Sequence, residues 1–257
     1  PSPGPVHINA KFRKPLWAAG APAPAHRPIP PRPHSPNPND HHNATAIGAF
    51  LERASGRTGV IVAGPDPSRR WAPNDLLAMA DHLGWPILAD PVSTVRNAKN
   101  PAVIRHSDGL LRCEAFRIRV QPELALAVGG TPSSRPIHEL FQRTPTVRMD
   151  PSSRPWDPWK TVDQTLACTA SEVVNHPDMR SFARGTAEWR DCWRAADQRA
   201  ARAIRTLPVT GVWEGAIVAD LFPRLPPNCL VRLASSMPIR DADSFGLRTD
   251  ASVRMTS

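Results

Sequence analysis

A chain of 257 residues is long enough for one large domain or two small ones, and an apolar fraction of 40% is enough to build a packed core. The formal charge of +9 and a pI near 10.6 would suit a nucleic-acid binder, but basic residues are interspersed with acids in every segment and never cluster into a long run, so no phosphate-tracking stripe is predicted. All 32 basic residues except Lys11, Lys14, Lys99 and Lys160 are arginine.

Pro1 to about residue 17 reads as a short extended segment, Val6 to Asn9, followed by a basic turn, and is too short to fold alone. The absence of an initiating Met predicts that the true beginning lies upstream. No apolar stretch has the length of a signal-peptide core or of a bilayer span, which predicts a cytoplasmic protein without membrane contact. Residues 18 to 45 carry PAPAHRPIPPRPHSPNPND, which has almost nothing to bury and reads as a proline-rich linker. Its histidines have no cysteine nearby and no metal-ligand spacing, so they read as exposed linker residues.

From Ala46 the pattern changes. A short helix is predicted over Ala46 to Ala54, then a buried β-branched strand over Gly59 to Ala63 ending in Gly64. The alternation continues with a helix over Asn74 to Leu83, a strand over Pro86 to Ala89, a loop-rich stretch and an apolar strand over Leu124 to Val128. A helix over Pro136 to Phe141 and a strand over Thr146 to Met149 follow. Continuous apolar runs alternating with amphipathic helices indicate a parallel sheet covered on both faces, that is, a doubly wound α/β domain over residues 46 to 180. Gly129 and Gly130 close one strand, but GGTPSSR is neither GxGxxG nor a Walker sequence and reads as a strand-end turn.

Thr186 to Thr206 places Trp189, Trp193, Ala196 and Ala200 at helical spacing with arginines opposite, which predicts a long amphipathic helix. A helix over Trp213 to Leu221, a strand over Cys229 to Leu233 and a helix opened by SSMPIRDAD follow, the start of a second α/β unit over 186 to 257 that is not finished by Ser257. The tryptophans read as packing residues, not as a platform for bases. The four cysteines form no CxxC pair and are predicted to be reduced and structural.

The most chemically suggestive segment is Ser235 to Asp243. Serine is a favoured N-cap and proline is tolerated in a first helical turn, so Ser236 is predicted to cap a helix on whose face Arg240 also lies. A hydroxyl, a guanidinium and free N–H groups together suit a carboxylate or phosphate. The purely structural reading of the same residues is a plain cap, with Arg240 paired to Asp241 or Asp243.

SSMPIRDAD followed by Phe245 and Gly246 resembles the start of the diphosphate-binding domain of the 2-succinyl-5-enolpyruvyl-6-hydroxy-3-cyclohexene-1-carboxylate synthases, thiamine-diphosphate enzymes of menaquinone biosynthesis. GPVHIN and FRKPL between Gly4 and Leu16 resemble the family's end of the pyrimidine-binding domain, and GVIVAG, LGWPILADPVS and MDPSSRPWDP resemble its central domain. The resemblance implies an internal fragment of a transferase that joins 2-oxoglutarate to isochorismate with loss of carbon dioxide, using thiamine diphosphate and magnesium or manganese in a homodimer or homotetramer. It implies that Ser236 and Arg240, with the adjacent Ser235, hold a substrate carboxylate, and that Arg154 or Lys160 supplies a basic contact from the central domain, although WDPWKT departs from the family's wording there. The glutamate that serves the aminopyrimidine ring and the NRG, GIDG and GD-to-N segments are expected outside this chain, so no catalytic, cofactor-binding or metal residue is assigned within it and the fragment alone is expected to be inactive. The competing expectation is a regulatory α/β module that binds a nucleotide or metabolite.

Overall fold

The computed structural model describes residues 40–66, 69–152, 157–207, 213–249 and 252–257. The expected Val6 to Asn9 segment, the linker up to residue 39, and Arg154 lie outside them. The first helix, α1 (Asp40–Ala54), is followed by strand β1 (Gly59–Ala63), α2 (Pro73–Leu83), β2 (Ile87–Ala89), β3 (Val103–Ile104) and two one-turn-scale helices, α3 (Ser107–Arg112) and α4 (Glu114–Arg119). Then come β4 (Leu124–Val128), α5 (Arg135–Phe141), β5 (Thr146–Met149), β6 (Gln164–Leu166) and α6 (Ala170–Val174).

The six strands pair in the order β3-β2-β1-β4-β5-β6, every pairing parallel. This is the doubly wound order, in which the direction of winding reverses between β1 and β4. Alternate side chains of the strands feed two separate apolar layers. Ile61, Ala63, Leu124, Leu126 and Val128 join α1, α2 and α6 on one face, whereas Val60, Val62, Leu88, Ile104 and Ala125 join α3, α5 and a long helix, α7 (Ala187–Arg205), on the other. Both faces are covered, as a sheet of uninterrupted apolar strands requires.

Several elements were shorter or longer than the pattern predicted. α1 begins at Asp40, inside the expected linker, because its first turn is polar and carries no apolar periodicity to read. The stretch read as loop-rich contains β3, α3 and α4, and β6 and α6 were also not anticipated. Two- and three-residue strands and six-residue helices are too short to show a period.

α7 is capped by Thr186, whose hydroxyl accepts from the Trp189 N–H at 3.3 Å. Trp189 and Trp193 are buried on it as expected, and the Trp189 indole N–H donates to the Gly59 carbonyl at 2.8 Å, tying the helix to the start of β1. The next turn of the same face buries an acid, Asp197.

Beyond α7 come α8 (Glu214–Leu221), β7 (Leu230–Arg232), α9 (Met237–Phe245) and β8 (Arg254–Thr256), with β7 and β8 paired in parallel. Phe222, Leu233, Ile239 and Ala242 of this second unit pack on Val92 from the loop after β2. The second unit is therefore docked at the carboxyl end of the large sheet.

Candidate functional site

In a doubly wound sheet the loops at the carboxyl ends of the strands are where side chains of different strands converge. Here the ends of β1 and β4 are closed by protein backbone. Gly64 donates to the Val128 carbonyl at 2.9 Å, Gly130 donates to the Pro65 carbonyl at 2.8 Å, and a Cβ on Gly64 would lie 1.9 Å from the Gly130 carbonyl oxygen. Gly129 has φ +78, in the left-handed region that glycine tolerates. The glycines are explained by this crossing of two segments of the chain, in keeping with a strand-end turn.

The neighbouring strand ends carry buried charge. Asp90, after β2, accepts from the Val92 N–H at 2.9 Å and from the Ser133 N–H and hydroxyl at 3.3 and 3.4 Å. Burial holds its carboxyl above the usual range. Asp108, in the first turn of α3, accepts from the hydroxyls of Ser134 at 2.8 Å and Ser244 at 2.9 Å and from the Arg112 guanidinium at 3.0 Å, so α3, the cap of α5 and the end of α9 meet on one carboxylate. The fully buried Asp243 of α9 meets Arg96 at 3.1 Å.

Ser236 stands at the cap position of α9, as expected, with Pro238 in the first turn, but its side chain does not cap the helix. Ser236 has φ 75 and ψ −123, and its side chain makes no capping bond. A residue in that conformation cannot point its hydroxyl back at the N–H groups of the first turn as an extended cap residue does. Nor is Arg240 paired with Asp243, whose guanidinium partner is Arg96. Ser235, Ser236 and Arg240 are all exposed. Lys160 is exposed in a turn with φ 53, its N–H donating to the Asp157 carbonyl at 3.3 Å, and it does not line the cavity that Arg240 lines.

That cavity, about 650 Å³, opens where α3, α7 and α9 meet. Arg112 and Arg240 stand on it, with Leu110, Ile204, Met237 and Phe245 among its apolar lining. His106 lines it too, with its Nδ1 2.9 Å from Asp197 Oδ1. Burial would raise the Asp197 carboxyl, but its hydrogen bond and charge interaction with His106, and the N–H groups of His106 and Arg105, outweigh burial and hold it below the usual range. Asp241, also on the cavity, is pushed up by burial and by Glu214.

His106, Asp197 and Arg112 were missed in the sequence. The available signal was Asp197 itself, a charged residue four positions after Trp193 on the face that α7 buries, because a buried acid demands a partner.

A metal diphosphate needs clustered carboxylates with free oxygens. Among the described residues no group of three metal-ligating side chains is assembled, and Asp90, Asp108 and Asp243 are already engaged by hydroxyls, N–H groups or guanidiniums. The described residues do not fit that group.

No family model matches the chain. Curated relatives do. The chain is 29% identical over 98% of its length to the 2-succinyl-5-enolpyruvyl-6-hydroxy-3-cyclohexene-1-carboxylate synthase of Listeria welshimeri and covers 45% of that protein. For the synthases so named of Geobacillus thermodenitrificans and Salinibacter ruber the identities are 29% and 30%, over 98% and 93% of this chain and 44% and 43% of the relative. The chain thus spans a little under half the length of the curated relatives it matches.

Fold and site together define a doubly wound α/β protein with a second α/β unit seated on the carboxyl ends of its strands. Across the portion it spans, the chain is a relative of the 2-succinyl-5-enolpyruvyl-6-hydroxy-3-cyclohexene-1-carboxylate synthases.

Proposed function

We propose that this chain is the stretch of a 2-succinyl-5-enolpyruvyl-6-hydroxy-3-cyclohexene-1-carboxylate synthase that runs from the end of the pyrimidine-binding domain, through the central domain at 46 to 180, into the diphosphate-binding domain at 186 to 257. The similarity of nearly the whole chain to this one family carries the reading. The whole enzyme would decarboxylate 2-oxoglutarate and add the four-carbon unit to isochorismate, in the cytoplasm, as a homo-oligomer.

Thiamine diphosphate with magnesium or manganese would supply the electron sink for the decarboxylation when bound; on this reading the residues that hold it lie in parts of the enzyme that this chain does not span. Within the chain, Arg240 holds a substrate carboxylate and Ser236, with Ser235 beside it, adds hydroxyl contacts. Arg154 and Lys160 are the central-domain candidates for a second cationic contact. The support for Arg240 is that it is exposed on a cavity wall, with no ion-pair partner among the described residues.

The test is to join this chain to the flanking parts that its relatives possess and to assay loss of isochorismate with 2-oxoglutarate, thiamine diphosphate and magnesium. Turnover by the joined protein, its fall by about tenfold or more in Arg240→Ala, and none by residues 1 to 257 alone are the expected results. A folded, complete protein without turnover would overturn the reading.

A further inference from the structure

The joint between the second unit and the large sheet is held more by polar than by apolar contacts. In the apolar cluster that links them, Val92 is the one buried residue from the large unit among the described residues, against Phe222, Leu233, Ile239 and Ala242 of the second. Hydrogen bonds make up the rest. Arg96 spans the joint to the Ala242 and Asp243 carbonyls and to the Asp243 carboxyl. The Ser244 hydroxyl donates to Asp108 at 2.9 Å, and the Asn97 amide donates to the Val253 carbonyl at 3.3 Å. A buried seam of this kind holds only while its charges are matched.

Three buried carboxyls meet there: Asp90 after β2, Asp108 on α3 and Asp243 on α9. Arg112 serves Asp108 from the outer side of α3. Asp90 accepts from the neutral donors of Val92 and Ser133, and Asp243 accepts from Arg96 alone among the described residues. The other charged groups are engaged elsewhere. Arg105, with Arg248 near it, directs its donors to the carbonyls of Arg96, Val103 and Ala98. His106 pairs with Asp197 across the cavity, and Glu214 of α8 acts on Asp241. One guanidinium, Arg96, therefore stands between two buried acids, Asp90 and Asp243, and cannot neutralise both. A proton completes the balance while the joint is closed, and water takes over its role when the joint opens.

We propose that this joint is a proton-operated latch: the second unit closes on the sheet with a proton held at the Asp90 and Asp243 pair, and opens, the sheet intact, by releasing it. Opening draws α9 away from α3 and α7 and so widens the cavity between them. Burial holds both acids above the usual range, Asp243 at about 8, and this sets the window. Closure is fully favoured below about pH 4, weakens by about tenfold per pH unit as pH rises to 8, and levels off above that. The latch does not depend on the family reading.

The experiment is hydrogen exchange read by mass spectrometry on the 257-residue chain between pH 5 and 8, each rate divided by the intrinsic rate at that pH to give an opening constant. The α9 amides open at least about tenfold more often than those of β4, and their opening constant rises about tenfold per pH unit. Asp243→Asn, with no proton to release, cuts that rise to about threefold per unit or less, whereas Asp241→Asn, on the same helix, leaves it at about tenfold. Should Asp243→Asn fail to fold, the unaltered chain and Asp241→Asn decide. Equal opening of α9 and β4, an α9 opening constant that does not change with pH, a rise that survives Asp243→Asn, or one that Asp241→Asn abolishes overturns the proposal.

Discussion

Arg96, 3% exposed, reaches from the loop after β2 into the last turn of α9 and meets Asp243 with Nη1 to Oδ1 at 3.1 Å. The same guanidinium donates to the carbonyls of Ala89 at 2.6 Å, Ala242 at 3.0 Å and Asp243 at 3.2 Å. One side chain thus satisfies the end of a sheet strand and the end of a helix in the second unit, where a cation is favoured by the exposed helix carbonyls.

Arg96→Ala is therefore expected to cost about 3–5 kcal/mol, since it strands buried acceptors on both sides of the joint. Urea denaturation measures it. Because the loss lies at the joint, the transition should also broaden or split, as α9 leaves before the sheet unfolds. A single sharp transition displaced by less than about 1 kcal/mol would show that the contact is dispensable.

The partner acid gives a pH dependence. Burial raises the Asp243 carboxyl from 3.8 to about 8, against the opposing pull of Arg96, with the neighbouring Asp90 and Asp108 charges adding to the rise. A folded pKa above the unfolded one means that the native state binds more protons, so this stability is fully present below about pH 4 and is lost as pH rises toward 8. Asp90 is raised for the same reason and acts in the same direction. Asp197 and Asp150 are lowered, so their contributions are lost only on acidification. Between pH 5 and 8 the urea midpoint should fall with rising pH, and Asp243→Asn should flatten that slope. An unchanged slope in the variant would place the titration elsewhere.

At the reversal point of the sheet, Gly64→Ala tests whether the two strand-end segments must cross so closely. The new Cβ would sit 1.9 Å from the Gly130 carbonyl oxygen, a backbone atom with no rotamer to give. Overpacking of this kind costs about 1–3 kcal/mol or more, which would lower the melting temperature by several degrees. Gly56→Ala, with nothing within 4 Å of its Cβ but φ +72, serves as the control for conformational cost alone.

The parts of this fold that could be read in sequence are those with enough residues to show a period. Gly59–Ala63, Leu124–Val128 and Thr146–Met149 were predicted as they stand, and the amphipathic face of α7 was correct through Trp193. The edge strands β3 and β6 were not predicted, because two residues have no alternation and Gln164–Leu166 is half polar. Of the residues that line the cavity between α3, α7 and α9, only Arg240 is singled out by the sequence. His106, Arg112 and Asp197 are brought to it by elements far apart in the chain, and their convergence depends on how α7 crosses the sheet, which no local pattern encodes. The Ser236 cap failed for a local reason, since residue type suggests a cap but only backbone conformation makes one.

That failure yields the last prediction. Ser236 at φ 75, ψ −123 occupies a region that glycine enters freely and serine enters at a cost of about 1–3 kcal/mol. A chain selected for stability alone would place glycine there, and its serine makes no capping bond in return. Ser236→Gly is accordingly expected to stabilise the protein by about 0.5–1 kcal/mol, seen as a rise in melting temperature. If the hydroxyl is kept for substrate, the same variant loses turnover in the complete enzyme while gaining stability, a combination that a merely structural serine cannot produce. Higher stability with full turnover would remove Ser236 from the site and leave Arg240 to hold the carboxylate without it.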